Sequence, residues 1–165
     1  MPVNFFDTTH AQATNTTNFG ICDDQNRTPA YIDETNTDKW VADVRNASEK
    51  ATTFYPIDYC VDTLRPDGTM DNRCDGMMKY DDKLIFIELK DRANQGWLGH
   101  GLKQLKSSIG HFEKAHPDLL SSLTIKAYLC NKQRPSATTS YNINRARFKD
   151  DTGYTVEINR VIKLE

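Results

Sequence analysis

The stretch CDGMMKYDDKLIFIELK, residues 74–90, constrains the fold more than any other part of the chain. It consists of two apolar segments joined by a short polar turn, the pattern of a β-hairpin. The second segment, KLIFIELK, is apolar at nearly every position, which is typical of a strand covered on both faces. The two aspartates between the segments are common turn residues. The stretch therefore predicts an antiparallel hairpin at the centre of a sheet.

The register of this hairpin follows from centring the turn on the two aspartates. Asp75 of the first strand then lies directly opposite Glu88 of the second, where Cβ atoms are about 4.5–5.5 Å apart. Lys90 shares the face of Glu88, because side chains alternate along a strand. The sequence thus predicts two carboxylates and a lysine together on one side of the hairpin.

Such a cluster suggests a metal site. Two half-buried carboxylates at this distance repel each other and lose hydration, so a compensating charge is expected. Mg²⁺ accepts one or two protein carboxylates and takes its other ligands from water and substrate phosphate. We therefore expect Asp75 and Glu88 to bind Mg²⁺ or Mn²⁺, with the Ile87 carbonyl or a water completing the site. Lys90 is then placed to orient or activate the attacking water and to stabilise charge on phosphorus.

Hydrophobic periodicity places further elements around the hairpin. One is a helix in which apolar residues recur at steps of four and three from Leu98 to Phe112, before Pro117. The predicted elements are a small hairpin from FGICDD and TPAYID, a first helix over 37–51, a strand FYPIDYCV, the acidic hairpin, the helix ending at 117, a strand LTIKAYLC, and a C-terminal hairpin turning at 150–153. This order predicts an α/β fold with a mixed sheet and helices on its faces.

The pattern Asp75-x12-Glu88-Leu89-Lys90, within this order of elements, resembles the PD-(D/E)XK nuclease superfamily, the fold of restriction endonucleases and Holliday junction resolvases. The resemblance covers residues 37–130. It implies a restriction endonuclease-like αβββαβ core, with the acidic hairpin at strands two and three, and divalent-metal-dependent hydrolysis of nucleic-acid phosphodiesters. Cys74 departs from the pattern, since a proline often precedes the first acid.

The resemblance implies two further site residues. Members often carry a polar residue on the helix after the hairpin, and Gln104 is the natural candidate here. An acid on the first helix sometimes contributes, and Glu49 is the best-placed choice, with Asp43 and Glu34 as other options. Many members act as dimers, so a homodimer is one expected assembly.

Charge is segregated along the chain, although the net charge is only −2. Residues 97–149 hold 9 Lys and Arg against 2 Asp and Glu, so this region can attract a polyanion. Lys103 and Lys106 on the helix, with Lys132 and Arg134 in the loop that follows LTIKAYLC, are expected to contact phosphates. Nucleic acid is therefore the expected partner, DNA more than RNA.

The 165 residues fit a single nuclease-like domain. We divide it into an N-terminal extension over 1–36, a core over 37–130, and a basic loop with the C-terminal hairpin over 131–165. No secretory signal and no apolar run of about 18 residues is visible, so a cytoplasmic protein without a membrane span is expected. The four cysteines lack zinc-site spacing and are expected to be reduced and mostly buried.

Three other interpretations stay open. The acidic hairpin residues can form a solvated cross-strand salt bridge without chemistry. A non-catalytic binding, inhibitor or immunity protein can use the same scaffold, and the acidic residues 1–96 suit a basic partner. The chain can also be a nuclease domain from a larger toxin.

Overall fold

The structure is a computed structural model that describes residues 3–135 and 138–165. Within these residues the chain is a mixed α/β protein with two mixed sheets and two α-helices. The elements are β1 Gln12–Thr14, β2 Asn18–Cys22, β3 Tyr31–Asp33, β4 Ala42–Arg45, β5 Thr52–Pro56, β6 Gly76–Tyr80, β7 Lys83–Lys90, α1 Trp97–Ala115, β8 Thr124–Asn131, α2 Asn142–Thr152, β9 Val156–Ile158 and β10 Val161–Lys163.

The larger sheet, called the main sheet below, has the strand order β1-β5-β6-β7-β8-β9, and the second sheet has the order β10-β4-β2-β3. The main sheet is covered on both faces. Along β7, Leu84 and Phe86 pack in the core that includes α1, whereas Ile85, Ile87 and Leu89 pack in the core that includes the second sheet. Coverage on both faces explains why this strand is apolar throughout.

The predicted acidic hairpin is confirmed as β6 and β7, with the predicted register. Gly76 pairs with Ile87, so the next positions outward are Asp75 and Glu88. Asp81 in the turn has a φ of 51°, a left-handed conformation that a short polar side chain tolerates. The hairpin therefore directs both acids to the point where β6 begins.

The helix and strand predicted after this hairpin are also confirmed. Helix α1 buries Leu102, Leu105, Ile109 and Phe112 against the main sheet and ends before Pro117. Strand β8 then runs parallel to β7 along its whole length. The end of β7 and the first turns of α1 consequently lie at the same edge of the fold.

The prediction of a first helix over 37–51 is wrong. The chain instead makes a 3-10 turn at Thr37–Lys39 and continues into β4, which pairs with β2 on one edge and β10 on the other. Burial follows a step of two, with Ala42, Val44 and Asn46 inward. Pairing on both edges outweighs the helical spacing of these residues. The expected leading helix of the αβββαβ order is thus a strand, while β5, β6, β7, α1 and β8 follow the order.

After β4 the chain makes a sharp turn, where the sequence predicted the second half of a helix. Asn46 is fully buried, and its side-chain amide donates to the carbonyl oxygens of Thr16 and Lys50. Glu49 lies in this turn, exposed and with a φ of 53°. An asparagine that satisfies two backbone groups favours a turn over a helix.

The prediction of a C-terminal hairpin is also wrong. Residues 150–153 form the end of α2, where Gly153 has a φ of 83° and its N–H donates to the Lys149 carbonyl at 2.8 Å. A left-handed glycine is a common helix C-terminus. The two strands that follow do not pair with each other, since β9 extends the main sheet beside β8 and β10 extends the second sheet beside β4.

The predicted terminal regions contribute to both sheets. Residues 1–36 supply β1 to the main sheet and the hairpin β2–β3 to the second, and this hairpin is the one predicted from FGICDD and TPAYID. Residues 136 and 137 of the predicted basic loop lie outside the described residues.

None of the described helices is long and apolar enough to cross a membrane. The four cysteines are free, and three of them are buried.

Close packing at Gly76 fixes the start of β6. A Cβ atom at this position would lie 2.3 Å from the Phe54 ring and 2.9 Å from the Tyr55 carbonyl oxygen. We expect Gly76→Ala to lower the free energy of unfolding by about 1–3 kcal/mol, as overpacking does, measured by urea denaturation. Gly110→Ala is the control, because a Cβ there meets nothing within 4 Å and alanine stabilises a helix by about 0.5–1 kcal/mol. Equal stability of Gly76→Ala and wild type would contradict this account.

Candidate active site

Asp75 and Glu88 are linked by hydrogen bonds at the open end of the hairpin. The Asp75 N–H donates to Glu88 Oε1 at 3.1 Å, and the Leu89 N–H donates to Asp75 Oδ2 at 2.7 Å. The residues are only 7% and 2% exposed, respectively. The two acids therefore lie together on the protein side of a cleft, as the register predicts.

The charges of these acids are poorly solvated. Burial, and next the charge of Glu88, hold the pKa of Asp75 well above its usual range. Burial also raises the pKa of Glu88, although the ammonium group of Lys90 opposes this effect. Two acids with raised pKa values favour a proton or a cation between them.

Lys90 connects this pair to α1. Its Nζ lies 3.0 Å from Glu88 Oε2 and donates to Gln104 Oε1 at 2.7 Å, and the lysine is 4% exposed. The Gln104 Nε2 donates to the Arg73 carbonyl at 3.2 Å, which directs the amide oxygen towards the lysine. The structure thus brings together Asp75, Glu88, Lys90 and Gln104, four of the residues predicted from the sequence.

The segment just before β6, which carries Asp75, is held on both sides. The Cys74 N–H donates to Ser108 Oγ of α1 at 2.8 Å, and both residues are fully buried. The Ile57 N–H donates to the Asp75 carbonyl at 2.9 Å. The first acid therefore occupies a backbone segment fixed by α1 and by the chain that leaves β5.

A polar cleft of about 250 Å³ opens above these residues. Its walls come from the β2–β3 loop, the turn after β5, the segment after β7 and the start of α1. The wall residues with polar or charged side chains include Asp23, Arg27, Asp58, Tyr59, Arg92 and His100. Sequence reasoning did not place these residues in the site, because separate loops carry them and no spacing rule relates them. Only Asp58 could have been noticed in the sequence, as an acid within the apolar segment FYPIDYCV.

The acids proposed for a first-helix role do not reach the cleft. Glu49 is exposed in the turn after β4, a position that follows from the absence of the predicted helix. Asp43 accepts a hydrogen bond from Asn18, and Glu34 accepts one from Thr14. Neither these acids nor Glu49 line the cleft, so Glu49 is not part of the cluster.

Asp58 lines the cleft in their place. It pairs with Arg73 at 3.2 Å, and burial raises its pKa even though that guanidinium opposes the effect. Asp58 is therefore one of three further acids at the cleft, beside Asp23 and Asp91.

The four predicted phosphate-binding residues lie outside the cleft lining. Lys103 is exposed on α1, whereas Lys106 pairs with Asp151. Lys132 donates to the Asp38 carbonyl, and Arg134 donates to the Ala93 carbonyl at 3.4 Å. Besides Lys90, the cations that border the cleft are Arg27, Arg92 and, when protonated, His100, whose pKa is lowered by burial and by Lys90.

The described part of the chain contains no group of three or more His, Cys, Asp or Glu side chains arranged to hold a metal ion. The acidic pair is thus a set of two carboxylates, to which backbone and solvent oxygens can be added. Comparison with known protein families, curated proteins and solved structures finds no match to this chain.

Proposed function

We propose that the chain is a metal-dependent nuclease of the PD-(D/E)XK type that hydrolyses nucleic-acid phosphodiester bonds, with DNA favoured. The observation that carries this proposal is the position of Lys90. Its Nζ lies 3.0 Å from Glu88 Oε2 and 2.7 Å from Gln104 Oε1, within a buried cluster that opens to a cleft. A solvated surface salt bridge does not account for this burial.

The donor set fits Mg²⁺ or Mn²⁺. Both cations prefer oxygen ligands, and Asp75 and Glu88 offer two carboxylates whose pKa values are raised by burial. Ile87 pairs with Gly76 inside the ladder, so its carbonyl is a poorer candidate than expected. The N–H and C=O of a strand residue point to the same side, and the Leu89 N–H is directed at Asp75. The Leu89 carbonyl, at the cleft, is therefore the better backbone ligand.

The protein groups divide the chemistry among them. A bound divalent cation would supply Lewis-acid stabilisation of the phosphate and lower the pKa of a water. Lys90 holds a positive charge at the cleft floor, where it can orient the attacking water and offset charge that develops on phosphorus. Gln104 fixes the direction of the ammonium group, and the buried strand keeps competing water away from it.

Cleavage assays test the proposal directly. Plasmid DNA, single-stranded DNA and RNA are incubated with the protein in Mg²⁺, Mn²⁺ or EDTA. We expect cleavage with either metal and none in EDTA. Absence of cleavage of all three substrates with both metals would contradict the proposed function.

The role of Gln104 can be separated from that of the metal ligands. We expect Gln104→Leu to lower kcat by about 10- to 100-fold, as the loss of an orienting hydrogen bond does, without abolishing Mn²⁺ binding measured by calorimetry. Ser107→Ala on the same helix is the control, because the Ser107 hydroxyl is buried without a hydrogen-bond partner among the described residues. A Gln104→Leu variant with wild-type kcat would remove Gln104 from the mechanism.

A second candidate function is a non-catalytic binding protein for a basic partner. Its support is the internal pairing of Lys106, Lys132 and Arg134, together with acidic side chains such as Asp23 and Asp91 at the cleft. Calorimetric titration with Mg²⁺ and Mn²⁺ separates the two functions. The nuclease is expected to take up metal, and Glu88→Gln to abolish the uptake, whereas the binding protein shows no such dependence.

A further inference from the structure

The cleft is small for a nucleic-acid duplex. Asp75, Glu88 and Lys90 are each less than one-tenth exposed, so a scissile phosphate must enter the cleft to reach them. The space above them is about 250 Å³ and is open to solvent. Walls on several sides, from the β2–β3 loop to α1, bound this space. One strand fits such a space more readily than two paired strands.

Tyr59 is an exposed aromatic residue at this cleft. The residue is 51% exposed and lines the cleft together with the acids. Its backbone has a φ of 67°, which is unfavourable for tyrosine. The turn that imposes this conformation is closed by the N–H groups of Cys60 and Val61, which both donate to the Ile57 carbonyl. A strained and exposed aromatic residue beside a buried polar site indicates a role in recognition.

The Tyr59 ring is supported from the protein side. The Arg73 guanidinium carbon lies 6.0 Å from the ring centroid. The same guanidinium donates to the Val61 carbonyl at 2.9 Å and pairs with Asp58 at 3.2 Å. Because the Arg73 guanidinium is anchored beside the Tyr59 ring, the exposed part of the ring is available to stack on another flat group.

Arg27 and Arg92 are cationic side chains at the cleft that can contact a phosphate backbone, although Asp23, Asp58 and Asp91 line the cleft as well. Arg27 is exposed in the β2–β3 loop with a φ of 65°, and Arg92 is exposed two residues after β7. Both line the cleft with Tyr59. Binding of single strands without a sequence code combines such cationic groups with an aromatic platform on which a base stacks.

We infer that the substrate is single-stranded DNA, including unpaired ends and gaps, and that Tyr59 stacks on a base next to the scissile phosphate. This inference rests on the proposed function and specifies its substrate class. Arg27 and Arg92 contact the flanking phosphates, and the nucleotide at the centre places its phosphate over the acidic pair. Paired DNA reacts only where its strands separate.

Binding and cleavage together test this inference. Fluorescence anisotropy measures the affinity of wild type, Tyr59→Ala and Tyr59→Phe for a labelled single strand and for the same sequence as a duplex, in Ca²⁺, with strand integrity checked on gels. Base stacking on one aromatic residue predicts a loss of roughly 5- to 150-fold in single-strand affinity for Tyr59→Ala. Tyr59→Phe keeps the platform and is expected to bind like wild type. Ile143→Ala, which removes a 72% exposed side chain on α2, is the control.

The outcomes separate this inference from the proposed function. Preferred binding of the single strand that depends on Tyr59 supports the inference, and if no metal then cleaves the strand, single-strand recognition by Tyr59 stands while the nuclease proposal fails. Equal or better binding and cleavage of the duplex overturns the inference and leaves the nuclease proposal intact. Unchanged affinity of Tyr59→Ala, or no binding of either DNA, also overturns it.

Discussion

Glu88→Gln is expected to lower metal-dependent DNA cleavage by at least about 10³-fold, because it removes both a metal ligand and charge complementarity at the reacting phosphate. Glutamine has nearly the same shape, so the hairpin should fold. Its amide oxygen can accept from either the Asp75 N–H or Lys90, but its amide nitrogen then faces the other donor. Loss of the carboxylate also leaves the buried Lys90 ammonium without its partner, so the variant is expected to be folded but less stable than wild type. Rates measured on plasmid and single-stranded DNA provide the readout.

Glu49→Gln is the matched control for this experiment. It makes the same chemical change at an exposed residue outside the cleft, so cleavage is expected to remain at the wild-type rate. Far-UV circular dichroism and thermal unfolding show whether each variant is folded. A folded Glu88→Gln protein that cleaves at the wild-type rate, or an equal loss in Glu49→Gln, would contradict the assignment of the acidic hairpin.

Lys90→Met is expected to lower the free energy of unfolding by about 3–5 kcal/mol in EDTA at pH 8, because it leaves a buried carboxylate without its cation. Glu88 is 2% exposed and Lys90 4% exposed, with 3.0 Å between the charged atoms. The double variant Glu88→Gln/Lys90→Met removes both charges and is expected to regain most of the loss. Urea denaturation of the four proteins gives the coupling directly, and an additive result would show that the pair is not coupled.

The loss in Lys90→Met should also depend on pH. Burial holds the pKa of Glu88 above its usual range, and Lys90 is the largest effect that opposes this rise. Removal of Lys90 therefore raises this pKa further. A carboxyl group whose pKa is higher in the folded state lowers stability as pH rises through the folded value, because the unfolded chain binds fewer protons there. The difference in the free energy of unfolding between Lys90→Met and wild type should thus grow with pH. The double variant has no carboxylate at position 88, so it should not show this growth.

The parts of the fold that the sequence predicted are those determined by neighbouring residues. The turn at residues 81–82 sets the register of β6 and β7, and this register alone brings Asp75 and Glu88 together. Helix α1 follows from its apolar spacing, and Gln104 then faces Lys90 because α1 packs on β7. These relations span short distances in the chain, so sequence patterns carry them.

The wrong predictions concern segments whose partners are distant in sequence. Residues 42–45 become a strand because β2 and β10 pair with both of its edges. The C-terminal region becomes a helix and two separate strands because its apolar residues join two different sheets. Likewise, Asp58, Tyr59 and Arg92 meet at the cleft only after the sheets have formed. Periodicity within one segment contains no information on such partners.

The place of β10 in the second sheet affects the order in which strands pair while the chain is synthesised. The acidic hairpin can pair as soon as residues 74–90 have left the ribosome, whereas β4 must wait for Val161–Lys163 to obtain its second neighbour. Until then the outer edge of β4 offers unpaired N–H and C=O groups to other chains. Contacts over such a separation form slowly and leave a nascent protein exposed to misassociation. Completion of the second sheet therefore comes later than the pairing that creates the acidic pair.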